Sequence, residues 1–155
     1  MRIRALLGVL FLLGGVGTAR ASHYPLDAAT FLSDGERTAL GERGIADTGQ
    51  LREATDMPKE RAALADLSGI DKKRLREIHE VCDLLQVRGI GPKMAGVLRL
   101  AGVYDTRALA AEDATALAGK MKKANDVHKV SEILPEVEVL KGWIEQAASL
   151  SRNPR

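Results

Sequence analysis

The sequence Val87-Arg88-Gly89-Ile90-Gly91-Pro92-Lys93 joins two amphipathic segments, and it decides how the chain folds. Apolar residues recur at helical spacing on both sides of it, which predicts a helix, a tight turn and a second helix. Gly89 and Gly91 allow backbone angles that are closed to other residues. Pro92 suits a first helical position, because its missing N–H would have had no partner there. We expect Gly91 to need a special backbone angle or a close approach.

A turn of this composition is a candidate site for an anion. Backbone amides at a helix start, beside a lysine, form a concavity suited to a phosphate oxygen. The predicted phosphate-binding residues are Arg88, Gly89, Ile90, Gly91 and Lys93. The alternative is structural, in which the Gly-x-Gly turn is simply the tightest way to join two helices.

The same turn carries a known motif. The pattern apolar-x-Gly-apolar-Gly-x-x-x-Ala-x-x-apolar resembles the helix-hairpin-helix motif, and its residues are Val87, Gly89, Ile90, Gly91, Ala95 and Leu98. Many members of that superfamily hold a nucleic-acid backbone without reading the bases. The resemblance therefore implies sequence-independent backbone binding by this turn.

From about residue 40 to residue 150 the chain also resembles domain of unknown function 4332, a family understood as tandem helix-hairpin-helix units. This resemblance implies an all-α fold, with two such units packed into one compact helical domain, and it implies no particular activity. The segments that carry it are Gly44-Ile45, Asp47-Thr48, Asp83-Leu84-Leu85, Arg88-Gly89-Ile90-Gly91, Ala101-Gly102-Val103-Tyr104-Asp105-Thr106, Ala124-Asn125, Leu134-Pro135 and Trp143-Ile144-Glu145-Gln146-Ala147.

Residues 1–21 have the features of a secretory signal peptide. Arg2 and Arg4 precede an apolar run over residues 5–16, and Ala19-Arg20-Ala21 is a small-x-small cleavage site. The run is shorter than the roughly 20 apolar residues that a transmembrane helix needs. We expect cleavage after Ala21 and an exported protein, periplasmic or extracellular, with no transmembrane helix in the mature chain. An uncleaved amphipathic anchor is the alternative.

Cleavage changes the charge of the protein. The whole chain has 23 basic and 21 acidic residues, and the loss of Arg2, Arg4 and Arg20 leaves 20 basic against 21 acidic residues. Residues 22–86 have 9 basic and 13 acidic residues, whereas residues 87–155 have 11 basic and 8 acidic residues. We therefore expect any anion-binding surface on the C-terminal half, although its positive charge is modest beside that of dedicated nucleic-acid binders.

No side chains form a recognisable catalytic or metal-binding constellation. His23, His79 and His128 are scattered along the chain, which predicts no metal site, no cofactor and no enzymatic activity. Cys82 is the single cysteine, so an internal disulfide is impossible. We interpret it as a packed thiol, with a redox or intermolecular role as the alternative.

Three further sets of residues have two interpretations each. The acidic residues before the turn, Glu77, Glu80 and Asp83, are interpreted as the solvated face of a helix rather than a catalytic group. Trp143 is interpreted as core or inter-unit packing, with base stacking as the alternative. The lysines 120, 122 and 123 are interpreted as a solvated helix end, with phosphate contacts as the alternative.

The composition favours helices throughout, because aromatic residues make up only 3% of the chain and alternating β-branched runs are absent from it. Capping residues and glycines predict where these helices begin and end. The expected segments are a first helix after Ser33 or Asp34 that stops at Gly44, a short turn from Thr48 to residue 54, a helix from residue 58 to about Gly69, a long helix from Asp71 to about residue 86, a helix over residues 92–101, a short turn from Thr106, a helix from Asp113 to about residue 125, and a last helix over about residues 136–150.

A sequence repeat at an offset of 58 residues relates the two halves. Leu40, Gly44, Asp47, Thr48 and Leu51 recur as Leu98, Gly102, Asp105, Thr106 and Leu109. Where the second half has the Gly-x-Gly turn, the first has Phe31-Leu32-Ser33-Asp34-Gly35 followed by Glu36. Because an acidic turn repels phosphate, we expect the first hairpin to have kept its packing role and lost any anion role.

These observations predict five segments: a signal peptide (1–21), an N-terminal linker (22–30), a first, degenerate unit (31–86), a second unit (87–150) and a disordered tail (151–155). They favour an exported, non-enzymatic binding module whose unknown partner is a protein, or a structural module. The alternative function is sequence-independent binding of a nucleic-acid backbone through the Gly89-Ile90-Gly91 hairpin. The sequence does not indicate the oligomeric state.

Overall fold

A computed structural model describes residues 23–152, and the predicted signal peptide lies outside them. Within this range the chain forms helices and no β-strand, which confirms the all-α prediction. A short 3-10 helix, Leu26–Ala28, comes first. The α-helices that follow are α1 (Asp34–Gly41), α2 (Thr48–Thr55), α3 (Pro58–Ser68), α4 (Lys72–Leu84), α5 (Pro92–Leu100), α6 (Thr106–Ala110), α7 (Ala114–His128) and α8 (Val137–Arg152).

Side-chain caps explain most of the helix starts. Ser33 accepts a hydrogen bond from the Glu36 amide, and Asp71 and Asp113 cap α4 and α7 as predicted. The predicted cap of α2 is wrong by one residue, because Asp47, rather than Thr48, takes the cap position. Helix α6 begins at Thr106 as predicted, and Asp105 caps it. The predicted short turn from Thr48 is also a full helix of 8 residues.

The sequence repeat is a structural repeat. Gly44 and Gly102 both have positive φ, at 77° and 89°, and each lies in the turn after its helix, where it lets the next residue turn back toward the core. The amides of Ile45 and Val103 donate to the carbonyls of the equivalent leucines, 40 and 98. Helices α1 and α2 therefore correspond to α5 and α6, and α8 packs on α6 and α7 as α4 packs on α2 and α3.

The buried side chains form two clusters that meet along α4. The first extends from Leu26 to Cys82 and the second from Val81 to Ala147, while Phe31 packs against both. Helix α4 packs on α2 and α3 of the first unit and on α5 of the second. The predicted boundary after residue 86 therefore falls just after a helix that both units share.

Two predicted segments at the ends are wrong where the structure describes them. Residues 24–30 are no linker, because Leu26 and Ala29 are buried in the first cluster. The Tyr24 amide donates to the Thr48 hydroxyl at 3.0 Å, and the Thr48 amide donates to the Tyr24 carbonyl at 2.9 Å. At the other end, residues 151 and 152 belong to α8, so the predicted tail is helical there. Residues 153–155 lie outside the described part.

Candidate functional site

The five predicted phosphate-binding residues lie together on the turn between α4 and α5. Arg88 and Lys93 are not buried, Gly91 is the N-cap residue of α5, and Pro92 occupies the first helical position as predicted. Ile90 differs from the others, because its side chain is fully buried in the second cluster. The turn therefore has a core side, which carries Ile90, and an outer side, which carries the two cations.

Gly89, rather than Gly91, is the residue that needs to be glycine. Its φ of +94° lies in the left-handed region, and a Cβ there would be 2.9 Å from Nε1 of Trp143 on α8. Gly91 has an ordinary φ of −92°. A Cβ on Gly91 would be in normal contact with the Tyr24 hydroxyl at 3.5 Å. The expectation that Gly91 needs a special angle or a close approach is therefore wrong. The close approach is to Gly89, and it comes from α8, more than fifty residues away in sequence.

Helix α8 also occupies part of the predicted amide site. The Arg88 amide donates to Oε1 of Gln146 at 3.0 Å, and the Ile90 amide donates to the Val87 carbonyl at 3.1 Å. Ile90 is therefore not a free donor, contrary to the sequence-based hypothesis. Helix α5 has no side-chain cap. Among residues 23–152, the amides of this turn that have no acceptor, and so remain for an anion, are those of Gly89, Gly91, Lys93 and Met94.

The first hairpin is closed by its own side chains. Ser33 and Glu36 form a capping box, with the Ser33 amide donating to Glu36 at 2.8 Å. Arg74 of α4 donates to the same carboxylate at 2.7 Å and to the Phe31 carbonyl at 2.6 Å. The hydrogen bond from Arg74 is the main reason that the pKa of Glu36 lies below its usual value. Helix α1 therefore begins with a side-chain cap and a carboxylate in place, in contrast to α5.

Two of the three acidic residues of α4, Glu80 and Asp83, do not lie on a solvated face, which corrects the sequence-based interpretation for them, whereas the Glu77 side chain is 34% exposed. The Asp83 side chain is only 13% exposed. It accepts hydrogen bonds from the Thr106 amide at 2.8 Å, the Thr106 hydroxyl at 2.6 Å, Arg52 at 3.2 Å and Gln86 at 2.7 Å. Asp83 thus ties α2 of the first unit to the start of α6 in the second. Glu80 pairs with Arg99 of α5, so it also links the units.

The remaining candidate residues have structural surroundings. Cys82 is buried, as predicted, and burial raises the pKa of its thiol to about 12, which opposes nucleophilic or redox chemistry. Trp143 is buried, which confirms the packing interpretation. Lys120 pairs with Glu112, and Lys122 pairs with Asp126. Lys123 is exposed.

The positions of the histidines concern metal binding, and the lengths of the helices concern membrane crossing. No group of three or more His, Cys, Asp or Glu side chains within residues 23–152 could hold a metal ion. His79 lies 3.0 Å from the Thr55 hydroxyl, and burial lowers the pKa of its imidazole. In the same range, every helix is too short or too polar to cross a membrane.

One basic groove was not foreseen from the sequence. A cavity of about 490 Å³ lies between α3 and α4, lined by Pro58, Arg61, Ala62, Lys72, Lys73 and Arg76. The sequence contains two adjacent lysines followed by Arg76 one helical turn later, which is a local cluster of positive charge. The net charge of the whole N-terminal half is negative, so a sum over that half does not reveal the cluster. The expectation that positive surface would lie on the C-terminal half is therefore incomplete.

Both units of the repeat fall within one known family. A family model described as a domain of unknown function (DUF4332) matches residues 32–150. The chain belongs to this family. No curated protein and no solved structure matches the chain. The DUF4332 match covers both hairpins, so the shared α4 and the ties from Asp83 lie within the family domain.

Proposed function

We propose that this DUF4332 domain is an exported, non-enzymatic binding module whose partner is a protein. The observation that supports it is a set of exposed apolar side chains around the connection between α7 and α8. Val127, Ile133 and Val139 are 72%, 80% and 46% exposed. Exposed apolar residues grouped in one region are typical of protein-interaction surfaces, whereas isolated ones are ordinary.

The connection that carries these side chains is held in a defined conformation. The Asn125 side chain donates to the Ser131 carbonyl at 2.7 Å and accepts from the Ser131 amide at 2.9 Å. The Ser131 hydroxyl in turn donates to the Ile133 carbonyl at 2.7 Å. Because the loop is ordered in advance, a partner would lose less conformational freedom on binding than it would with a flexible segment. Asn125 is also one of the residues that carries the family resemblance.

The proposal is tested with protein recovered from the native host. We expect intact-mass analysis to give a chain that starts at Ser22, and cross-linking to join that chain to a defined envelope or extracellular protein. The Ile133→Asp variant should lose most of that cross-link, because a carboxylate at the contact would have to be desolvated. Leu67→Asp is the matched control, since Leu67 is 60% exposed on α3, outside this connection. A cytoplasmic protein that retains Met1, or equal cross-linking by wild type and Ile133→Asp, would contradict the proposal.

The second candidate function is sequence-independent binding of a nucleic-acid backbone by the turn between α4 and α5. It is supported by the uncapped start of α5 and by the cations of Arg88 and Lys93, for which no carboxylate lies within ion-pair distance among residues 23–152. The two cations can neutralise only a few phosphates, and the four amides add hydrogen bonds but no charge. We therefore expect an affinity of about 10⁻⁴ to 10⁻⁶ M on duplex DNA, with a shallow slope of roughly −2 to −3 against log salt.

Gly91→Ser tests this candidate without changing any charge. Serine is the residue at the equivalent position of the first hairpin, where it caps α1. A serine cap on α5 should stabilise the fold by a few tenths of a kcal/mol. It should also weaken DNA binding in an electrophoretic shift, because its side chain occupies the amides. Lys93→Glu should abolish the shift at low salt, whereas the exposed control Arg107→Glu should not. Wild-type protein that binds neither DNA nor RNA at low salt would eliminate this function.

A further inference from the structure

The cavity between α3 and α4 is a positively charged concave surface. Four of its six lining residues are cations, Arg61, Lys72, Lys73 and Arg76, and none of the six is acidic. Its volume of about 490 Å³ is in the range of small-molecule sites. This groove lies at the start of α4, whereas the glycine turn follows the end of that helix, which at 13 residues is about 20 Å long. One phosphate group therefore cannot contact both.

The groove cations are largely free of carboxylate partners. No ion pair within residues 23–152 involves Lys72, Lys73 or Arg61, while Arg76 has one long contact to Glu80 at 3.8 Å. Arg61 donates to the backbone carbonyls of residues 55 and 56, which fixes its position without neutralising its charge. Elsewhere on α4, by contrast, the guanidinium of residue 74 is neutralised by a carboxylate of α1.

The placement of the two lysines is electrostatically unfavourable for the isolated protein. Lys72 and Lys73 are adjacent cations in the first turn of α4, and the acidic N-cap residue before them, Asp71, accepts hydrogen bonds from the Lys73 and Arg74 amides. The helix dipole makes this end positive, so cations here are repelled and anions are attracted. Because Asp71 already occupies the end of the helix, an anion in the groove would be attracted mainly by the lysine charges, and it would relieve the repulsion between them.

The geometry points to a binding site for adjacent phosphate groups in the α3–α4 groove, separate from the glycine turn and independent of the functions proposed above. Two guanidinium groups suit phosphate because their planar donors can engage two oxygens at once, while the lysines act as point charges beside them. A single carboxylate would leave most of the four charges unmatched. The phosphates could come from a free polyphosphate compound or from a nucleic-acid strand, since both present the same groups.

Two probes distinguish these sources when titrated against the mature protein at low salt. One is inorganic tripolyphosphate, measured by calorimetry, and the other is a labelled thymidine oligonucleotide of about 20 residues, measured by fluorescence anisotropy. We expect at least one to bind with an affinity of about 10⁻⁴ to 10⁻⁶ M. Binding of tripolyphosphate alone would assign a free polyphosphate ligand. Binding of the oligonucleotide, with a slope of log affinity against log salt of roughly −2 to −3, would identify a nucleic-acid strand as the ligand.

The location is tested with matched double variants. Lys72→Glu/Lys73→Glu should weaken binding of the active probe by about tenfold or more, and Lys72→Gln/Lys73→Gln by about threefold. Lys122→Glu/Lys123→Glu makes the same charge change on an exposed pair of α7 and should weaken binding by less than about twofold. Circular dichroism should be unchanged, because Asp71 still caps α4.

Three results would overturn the inference. The first is that neither probe binds. The second is that both glutamate double variants lose binding equally. The third is that Lys93→Glu removes binding while the α4 double variants retain it. The last result would assign phosphate binding to the glycine turn instead, so it separates failure of the groove from failure of the second candidate function.

Discussion

Gly89→Val is expected to destabilise the protein by about 3 kcal/mol or more. A β-branched residue at a φ of +94° is strained, which alone costs about 1 to 3 kcal/mol. The added side chain would also meet Nε1 of Trp143 at less than van der Waals distance and push α8 away from the turn. For a domain of this size, the midpoint of thermal unfolding should fall by about 10 °C.

Two other glycines provide the controls for this prediction. Gly35 lies inside α1, and no atom lies within 4 Å of the position that a Cβ would occupy there. Gly35→Val should therefore change the free energy of unfolding by less than about 0.5 kcal/mol. Gly91→Ser should be slightly stabilising. If Gly89→Val melted at the wild-type temperature, α8 would not be packed on the turn as described.

Asp83→Ala should be the most damaging substitution of a polar side chain, at about 3 kcal/mol. The change removes four hydrogen bonds, and it leaves the partly buried Arg52 guanidinium and the Thr106 hydroxyl without their acceptor. Hydrogen bonds to a charged group contribute about 1.5 to 3 kcal/mol, and an unpaired buried partner adds to the loss. Chemical denaturation of the variant measures this difference directly.

Glu77→Ala is the control for Asp83→Ala on the same helix. Glu77 makes a long contact of 3.6 Å with Arg74, and both side chains are 34% exposed. Such a pair contributes little to stability, so a loss below about 0.5 kcal/mol is expected. Similar losses for the two variants would mean that Asp83 does not tie the units together. Asp83→Asn should be intermediate, because an amide retains one acceptor oxygen.

The two hairpins show how one repeated framework supports different surfaces. Ser33, Glu36 and Arg74 close the first hairpin with side chains, whereas glycine at position 91 leaves the start of α5 open. The first unit carries its positive charge elsewhere, in the groove between α3 and α4. A binding function that uses both units would therefore use different parts of each.

Local features of the sequence were sufficient for most of the helices. Helix starts at Ser33, Asp71 and Asp113 depend on a side chain that bonds an amide two or three residues away, so the information lies within one helical turn. The repeat was also visible, because equivalent positions need the same residue types: glycine where φ is positive and leucine where the side chain is buried.

The role of each polar group at the turn required contacts between distant segments. Local spacing predicts that Gly91 is the glycine with the special backbone angle and that the Ile90 amide is available to an anion. The structure places Trp143 against Gly89 and makes Gln146 the acceptor for the amide of residue 88, and both side chains come from α8. Amphipathic periodicity indicates that a helix has a buried face, but it does not indicate which other helix covers that face.

Features of this protein that depend on neighbouring residues could be predicted, whereas features that depend on distant segments required the folded chain. The sequence determined the helical class, the family, the order of the helices and the residues of the glycine turn, because these follow from local spacing and from motif. Two features emerged from the packing of the helices instead: Asp83 joins the two units, and α3 and α4 bring four cations around one groove. Charges counted along the chain are summed without regard to position, whereas interactions between charges depend on distance in space and on how much solvent lies between them.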